Sequence, residues 1–258
     1  MTVFVASGRV WQRNWLVYKR LWHRSLAFGF LQPVLFLTAM GIGIGTLIGT
    51  DTAAFGGFDY IDWLGPGLLA ASAMQTATFE STYPIMNKIM WGRNYEAMLS
   101  TPLGIRSIVG GELAWSAFRI GTLAVVFLVV LVLFGVPRTA MAVLAVPFTI
   151  LIGLAFSACL IAFTATQKND VGFSAIFRFV INPLFLFSGT FFPLSQLPDQ
   201  VEWLPWLTPL FHGVELVRGS ILGTLDPATA PVHLAYLLAM FALGAWLAER
   251  TLTKRMAG

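Results

Sequence analysis

Charged residues are scarce in this sequence of 258 residues. Asp, Glu, Lys and Arg make up 11% of the chain, whereas a soluble domain carries about 25%. So few charges cannot cover a water-exposed surface, and 57% of the residues are hydrophobic. We therefore expect lipid to cover much of the folded chain. The length suits one bundle of helices, because each membrane crossing needs about 20 apolar residues.

Residues that build disulfides, metal sites and phosphate-binding loops are also lacking. The single cysteine, Cys159, lies in an apolar run and is interpreted as a packing residue. His23, His212 and His233 are far apart in the sequence, and no Gly-x-x-x-x-Gly-Lys-Ser/Thr loop is present. The sequence therefore predicts a chain that is not an enzyme and binds no metal or cofactor itself. Its net charge of +4 comes from basic residues between apolar runs, which argues against a nucleic-acid partner.

Apolar runs separated by polar turns predict an all-α membrane protein with six transmembrane helices. The predicted spans are residues 25–49, 63–83, 112–134, 140–164, 171–192 and 232–247. Before the last span, repeated prolines interrupt the apolar pattern. We expect a re-entrant hairpin of two short outer helices over residues 198–225, because irregular backbone is tolerated in a membrane where protein covers it.

The first 24 residues predict an amphipathic helix that precedes a transmembrane domain covering residues 25–258. At 100° per residue, one side of this helix collects arginines and the other collects aromatic rings. The two sets are Arg9, Arg13, Arg20 and Arg24 against Trp11, Trp15, Tyr18 and Trp22. We expect the helix to lie in the membrane interface with its rings among lipid headgroups. Packing of this helix on a soluble partner is the alternative.

The distribution of Lys and Arg predicts that both termini are cytoplasmic. With six spans and both termini inside, the inner segments carry twelve Lys and Arg residues, and the outer segments carry only Arg138 and Arg218. Positive residues in short loops mark the cytoplasmic side. We therefore expect a multi-pass protein of the inner (plasma) membrane.

Four ionisable residues lie near the inner ends of the predicted spans: Glu80, Glu112, Arg119 and Arg178. Charge within a membrane is costly and often functional. Long side chains can also reach the interface by snorkelling. For Arg119 and Arg178, snorkelling and pairing between subunits both remain open. Glu112 and Arg119 share one helix face but are two turns apart. Their side chains are therefore too far apart to pair directly, and a neighbouring residue would have to bridge them.

Two further sets of residues indicate packing or transport surfaces. Gly41, Gly45 and Gly49 form a small-residue stripe that allows a second helix to approach closely. The fifth predicted span is rich in phenylalanine, and rings that face a cleft could stack on sugars or planar drugs. The candidate cleft residues are Phe177, Phe185, Phe187 and Phe191. Lipid contact or packing within the bundle is the alternative for most of these rings.

Two sequence blocks connect the chain to a known family. The first runs from Phe79-Glu80-Ser81 through Trp91-Gly92-Arg93 to Ser100-Thr101-Pro102-Leu103. It combines a span that ends in a carboxylate, a polar helix and a Thr-Pro stop, which suits docking of a soluble partner. The second block is Phe187–Pro198, followed by Pro209-Leu210 and Val217-Arg218-Gly219. With both blocks in this order, nearly the whole chain resembles the permease subunit of ABC-2 type exporters, in the NodJ-like and daunorubicin-resistance-type group. That group often has Ala-Thr-Pro where this chain has Ser100-Thr101-Pro102.

The resemblance implies a division of labour between this chain and a separate ATPase. A cytoplasmic coupling helix would enter the ATPase, and the residues it implies are Arg93, Asn94, Tyr95, Glu96, Ala97, Met98, Leu99, Ser100, Thr101 and Pro102. Two ATPase copies would hold ATP and magnesium, and a second permease copy or a similar permease would complete the exporter.

The substrate implied by the resemblance is amphipathic: a lipo-oligosaccharide, a polysaccharide-lipid or a hydrophobic drug, the last linked to antibiotic resistance. An ion-coupled secondary transporter is the alternative function, although it would need polar groups at the midplane on discontinuous helices. A membrane-embedded enzyme would need a catalytic constellation that the sequence does not show. Co-purification of an ATPase would separate the exporter from both.

Overall fold

A computed structural model of the chain describes residues 3–20, 31, 33–44, 55–193 and 203–257, and these residues form helices and turns with no strand among them. The predicted all-α membrane class is confirmed. We label the helices α1 (Val3–Tyr18), α2 (π-helical, Leu37–Ile44), α3 (Tyr60–Ser81), α4 (Tyr83–Met86), α5 (Asn94–Leu99), α6 (Ile105–Leu133), α7 (Ala145–Thr166), α8 (Val171–Phe187), α9 (Pro209–Leu222) and α10 (Ala230–Ala257). A π-helical turn, Asn87–Trp91, follows α4, and short 3-10 turns, Ala140–Leu144 and Leu204–Leu207, precede α7 and α9.

Three helices within the described ranges are long and apolar enough to cross a membrane: Ile105–Leu133, Ala140–Thr166 and Ala230–Ala257. Helix α8 is apolar but shorter. Helix α3 has 22 residues, yet Asp62, Gln75 and Glu80 make it more polar than the other three. Part of the first predicted span, including Gly45 and Gly49, lies outside the described residues, and so do residues 198–202 of the predicted re-entrant segment.

The third span begins seven residues earlier than the sequence predicted. Sequence analysis placed its start at Glu112. The structure instead continues the helix back to Ile105, after Gly104 in an extended conformation. Glu112 is the eighth of the 29 residues of this helix and is buried, with 3% of its surface exposed. Partners from other segments, described below, make that burial tolerable.

Other helix ends also differ from the predicted bounds. Helix α10 continues to Ala257, ten residues beyond the apolar stretch, because Glu249 and Lys254 are compatible with a helix that leaves the membrane. Helix α8 ends at Phe187, and Gly189 follows with a positive φ of 75°. Within α8 the section Phe177–Ile181 is π-helical. Pro183 lies just beyond it, and its missing N–H interrupts the regular hydrogen-bond pattern.

In the described part of the predicted re-entrant segment, residues 203–225, the structure has one 3-10 turn and one α-helix of 14 residues. Helix α9 begins at Pro209, where the missing N–H has no cost in a first turn. It ends at Gly223, which has a φ of 76° and closes the helix in the left-handed region. Nearly all of α9 is buried, because α3, α7 and α10 surround it.

Helix α7 is the centre of the bundle. It packs most extensively against α10 and also against α3, α6 and α9. The main hydrophobic core joins these helices, and a second cluster lies near one end, around Tyr95, Ile108 and Leu252. Close helix approach depends on a small residue in α10: a Cβ at Gly244 would lie 2.8 Å from the backbone N of Cys159. Cys159 is half-buried at this contact, as expected for a packing residue.

The aromatic side of α1 packs on α6 of the same chain. The rings of Trp11 and Trp15 are stacked 5.8 Å apart, and both meet Phe118 edge-on. Tyr18 meets Trp115 in the same way, at 5.5 Å. Trp11, Trp15 and Tyr18 are half-buried, so the third span contacts one side of these rings, and their placement among lipid headgroups stays a prediction. Trp22 and Arg24 lie outside the described residues.

Candidate functional site

The predicted coupling helix, α5, is anchored to the bundle by one side. Tyr95 is the buried residue of this helix, with 1% of its surface exposed. Met98 and Leu99 pack beside it on the second hydrophobic cluster. That cluster also contains Ile89 and Leu252, so α5 lies at the same end of the bundle as the C-terminal part of α10.

The other side of α5 and the segment after it face outward. Arg93, Glu96 and Ala97 are exposed, as are the three residues Ser100, Thr101 and Pro102. Asn94 is half-buried. Trp91, just before the helix, has 61% of its surface exposed. A short helix with one anchored and one exposed side is suited to bind a second protein, and exposed tryptophan is common at the centre of such contacts.

Arg93 begins α5 in a strained conformation. Its φ of 45° and ψ of 33° lie in the left-handed region, and it is the sole non-glycine residue with positive φ in the described chain. This turn directs α5 away from the preceding π-helical turn. The ion pair between Arg93 and Glu96 is 3.9 Å long and exposed, so it contributes little to stability.

Glu112 of α6 is the acceptor of a buried cluster beneath α5. Its Oε2 accepts from Nζ of Lys88 at 2.6 Å and from Nδ2 of Asn14 at 3.0 Å. Asn14 is a buried residue of α1, and its Oδ1 accepts from Arg13 at 3.2 Å. One carboxylate therefore joins α1, the segment after α4, and α6.

Tyr95 brings α5 to the same cluster. Burial, together with the Glu112 carboxylate close by, raises the pKa of the Tyr95 hydroxyl well above its usual value. Yet neither that hydroxyl nor Oε1 of Glu112 reaches the geometry of a normal hydrogen bond with any described residue.

Of the other charged residues near the inner ends of the predicted spans, Glu80 and Arg119 form an ion pair, whereas Arg178 is exposed. Nε of Arg119 donates to Oε1 of Glu80 at 3.1 Å, so α6 and α3 are joined by an ion pair within one chain. The guanidinium of Arg119 also lies over the ring of Tyr18, 4.7 Å from its centre. Arg178 is exposed and forms no ion pair with any residue in the described ranges. Glu112 and Arg119 do not pair directly, as the sequence predicted.

The structure divides the candidate cleft residues of α8 into packed and exposed rings. Phe177 contacts Phe79 at 4.9 Å, and Phe185 meets Phe191 edge-on at 5.0 Å. Phe187 is exposed, with 52% of its surface accessible. These rings therefore form pairs along the bundle instead of one continuous aromatic wall.

Of the predicted glycine stripe, the structure describes Gly41. A Cβ at this position would lie 2.9 Å from Cγ1 of Ile61. The α2 segment therefore approaches the start of α3 closely, as a small-residue stripe predicts. Gly45 and Gly49 lie outside the described residues.

The opposite end of the bundle is held by two arginines. The guanidinium of Arg138 pairs with Asp62, which is almost fully buried, and the Arg138 N–H donates to the Ile221 carbonyl. Arg218 donates to the Gly189 carbonyl at 2.7 Å and to Trp63 O at 3.3 Å. Its guanidinium also lies 3.8 Å from the centre of the Trp63 ring. These contacts join α3, α9 and the turn between α6 and α7.

Two histidines that are distant in sequence meet at this end. Nδ1 of His212 and Nδ1 of His233 are 2.7 Å apart, so one ring donates and the other accepts. Nε2 of His212 contacts the Trp206 carbonyl at 2.9 Å, and the ring of Tyr236 stacks on His212 at 4.1 Å. A neighbouring cavity of about 120 Å³ has a polar lining that includes Trp63, Glu215, Arg218, Asp226, Thr229 and His233.

No three metal-ligating side chains come together within the described part of the chain. The histidine pair supplies two nitrogens, and both are engaged with each other. Sequence analysis did not assign a role at these sites to five residues: Asn14, Lys88, Trp91, His212 and His233. Trp91 lay in the quoted sequence block and could have been included, since an exposed tryptophan in a polar segment is unusual. The contacts of Asn14, Lys88, His212 and His233 join residues that are distant in the sequence, so the sequence pattern does not predict them.

Comparisons with known proteins give a consistent result. A family model described as ABC-2 type transporter matches residues 8–222. Nodulation protein J of Rhizobium meliloti is 32% identical, over 83% of this chain and 80% of its own length. Nodulation protein J of Neorhizobium galegae is 30% identical over 95% of this chain and 93% of its own. The inner membrane transport permease YadH of Escherichia coli is 26% identical over 86% and 85%.

Proposed function

Because the chain belongs to the ABC-2 type transporter family, whose members are membrane transport subunits and not enzymes themselves, we propose that it is the permease of an ATP-driven exporter. In this proposal a separate ATPase binds the exposed side of α5. ATP and magnesium are held by that ATPase. The observation that carries the proposal is a helix anchored by Tyr95 with Arg93, Glu96 and Ala97 left exposed.

The charges around α5 support a cytoplasmic location for this end of the bundle. Lys88, Arg93, Arg106 and Lys254 all belong to segments at or near the second hydrophobic cluster. Arg138 and Arg218, at the opposite end, are each engaged by a carboxylate, Asp62 or Glu215. We therefore place both termini in the cytoplasm and the chain in the inner membrane, in line with the positive-inside rule.

We propose an amphipathic substrate, of the lipo-oligosaccharide, polysaccharide-lipid or hydrophobic-drug class, which moves along the exposed side of α8. Phe79, Phe179 and Phe187 give this region large exposed rings. Such rings can stack on sugars or on planar drugs. A second permease, identical or similar, would close the route from the other side, and two ATPase copies would drive the pair.

Binding of the ATPase by α5 can be tested with one added charge. Ala97→Glu places a carboxylate on the exposed side of α5, and Thr253→Glu places the same charge on an exposed position of α10 at the same end. A like charge or an unpaired charge in an interface costs several kcal/mol. We expect Ala97→Glu to lower the affinity of the co-expressed ATPase by about tenfold or more, and Thr253→Glu to leave it unchanged.

Transport in proteoliposomes separates the exporter from an ion-coupled transporter. The wild-type complex should move substrate only with ATP present, and dissipation of ion gradients should not stop it. Equal ATPase affinity for both glutamate variants would contradict the docking role of α5. Transport by the chain alone, driven by an ion gradient, would contradict the exporter function.

A further inference from the structure

Two buried histidines connect α9 to α10 at the end of the bundle opposite α5. Nδ1 of His212 and Nδ1 of His233 are 2.7 Å apart. His212 has 2% of its surface exposed, and His233 has 4%. The rings of Tyr236 and Trp206 lie 4.1 Å and 6.1 Å from the His212 ring. The pair is therefore an enclosed polar link between two helices.

The hydrogen-bond partners determine where the protons of this pair lie. Nε2 of His212 is 2.9 Å from the Trp206 carbonyl oxygen, which can only accept, so Nε2 carries a hydrogen. A neutral imidazole has one donor nitrogen and one acceptor nitrogen. Nδ1 of neutral His212 is therefore the acceptor, and Nδ1 of His233 donates to it. Nε2 of neutral His233 then carries a lone pair that can take up a proton.

The pair can bind one extra proton without losing its link, but it cannot bind two. A first proton at Nε2 of His233 leaves the contact between the two Nδ1 atoms intact. A second proton would have to occupy Nδ1 of His212, which is the acceptor of that contact. Both rings would then direct N–H groups of two cations at each other, and charges of one sign this close repel. Groups that interact in this way titrate in two separate steps.

A cavity gives water a route to the pair and contains its charged neighbours. Glu215, Arg218 and Asp226 line the same cavity of about 120 Å³ as His233. Asp226 is exposed, so the cavity opens to the surroundings of the bundle. The two carboxylates favour a cationic His233. Arg218 opposes it, although its guanidinium is already engaged with Glu215 and with backbone carbonyls.

The other elements around α9 add no unpaired charge beside the histidines. Helix α7 has no charged residue between Ala145 and Thr166. On α3, Asp62 is engaged by Arg138. Tyr236 of α10 is uncharged near neutral pH, and its hydroxyl donates to the Leu207 carbonyl at 2.8 Å. The two rings and the charged groups of the cavity therefore determine how the pair titrates.

We propose that the His212–His233 pair is an acid-sensitive link between α9 and α10, which holds while at least one ring is neutral and is broken when both rings are protonated. The proposed topology places this end of the bundle on the outer side of the membrane, so the link responds to acid on that side. The inference goes beyond the proposed exporter function, because it requires neither ATP nor an ATPase partner.

Proton linkage gives the sign and the size of the effect on stability. A histidine in an unfolded chain has a pKa of about 6.5, so below this pH both histidines of the unfolded chain bind a proton. The folded pair binds only one, and the unfolded state therefore binds one proton more. Stability then falls as the pH falls, and the unfolding equilibrium constant rises by about tenfold for each pH unit below 6.5.

Reversible unfolding of the purified chain in mixed micelles, at about pH 7.5 and about pH 5.5, tests the proposal on both sides of this value. The double variant His212→Gln/His233→Gln keeps amide groups that can form a hydrogen bond but do not titrate. His23→Gln removes the remaining histidine of the sequence and is the control. Carboxylates titrate in all three proteins, so the comparison with the double variant isolates the contribution of the pair.

Between the two pH values, we expect the unfolding constant of the wild type and of His23→Gln to rise about tenfold more than that of the double variant. An equal rise in the wild type and the double variant would overturn the inference. A rise about a hundredfold greater would also overturn it, because two separately buried neutral histidines would then each exclude a proton.

Nitrogen-15 NMR of the wild-type chain labelled at histidine checks the same point without changing the pair. His23→Gln identifies the signals of the third histidine. At about pH 7.5 we expect His212 to be protonated at Nε2 and His233 at Nδ1, and at about pH 5.5 we expect the folded pair to have gained one proton. Two imidazolium rings in the folded chain at the lower pH would contradict the inference. The exporter function is tested separately, because these measurements contain no ATPase.

Discussion

Replacing Lys88 with methionine removes the cation beside Glu112 but keeps a long, flexible side chain. Nζ of Lys88 lies 2.6 Å from Oε2 of Glu112, with 11% and 3% of the side chains exposed. At an effective dielectric constant of about 20, two unit charges at that distance attract by about 6 kcal/mol. Without Lys88, the buried carboxylate would keep the hydrogen bond from Asn14 but would lose the one cation that pairs with it among the described residues. We expect Lys88→Met to destabilise the chain by about 3–5 kcal/mol, as is typical when a buried pair is broken.

A double-mutant cycle measured by reversible unfolding in mixed micelles would check this magnitude. Lys88→Met combined with Glu112→Gln removes both charges, so the double variant should be closer to wild type than the sum of the single variants. Arg106→Met is the matched control. It breaks an ion pair with Glu249 whose side chains are 72% and 34% exposed, and it should cost less than about 1 kcal/mol.

Two results would refute the reasoning about this pair. One is a loss of stability for Lys88→Met that is no larger than for Arg106→Met. The other is an additive double variant, since additivity would mean that Lys88 and Glu112 do not interact.

Three further predictions concern the stability of the rest of the bundle. Each is checked by the free energy of unfolding of the purified variant in detergent. Arg138→Met leaves the buried Asp62 without its cation and should cost about 1–3 kcal/mol; no loss would show that Asp62 needs no partner. His233→Phe leaves Nδ1 of His212 without its hydrogen bond and should cost about 1–3 kcal/mol, whereas His212→Phe combined with His233→Phe should cost less than the sum of the two. Gly244→Ala should destabilise because its Cβ would lie 2.8 Å from Cys159 N, whereas Gly8→Ala, with no atom within 4 Å, should stabilise α1 by up to about 1 kcal/mol; effects of equal sign would contradict the close packing of α7 and α10.

The two arginines that the predicted topology places outside, Arg138 and Arg218, both have partners in the structure. The prediction of topology treated Arg138 and Arg218 as exceptions to an inner excess of twelve. In the structure Arg138 pairs with Asp62, and Arg218 is buried among the Trp63 ring, backbone carbonyls and Glu215. Their charges are therefore used to hold α3 and α9 together. Neither guanidinium is an unpaired positive charge at that end of the bundle.

The histidines show the limit of sequence spacing. His212 and His233 are 21 residues apart, in α9 and α10, and no spacing of metal-binding or catalytic residues suggests that they touch. They meet because α9 packs between α7 and α10, which brings one histidine from each helix to the same place. The spacing of residues along one helix does not predict a contact between two helices, because that contact depends on how the helices cross.

The sequence by itself determined the membrane class, the family and the approximate position of most helices. These properties depend on local composition and on hydrophobic runs, which every stretch of about 20 residues carries within itself. The tertiary structure alone decided which charges meet, where α6 begins, and that the rings of α1 face α6. Glu112 can lie buried within α6 because Asn14, which is 98 residues away in the sequence, and Lys88 both donate to its carboxylate. Such partners come from distant parts of the chain, and only folding sets the distance between them.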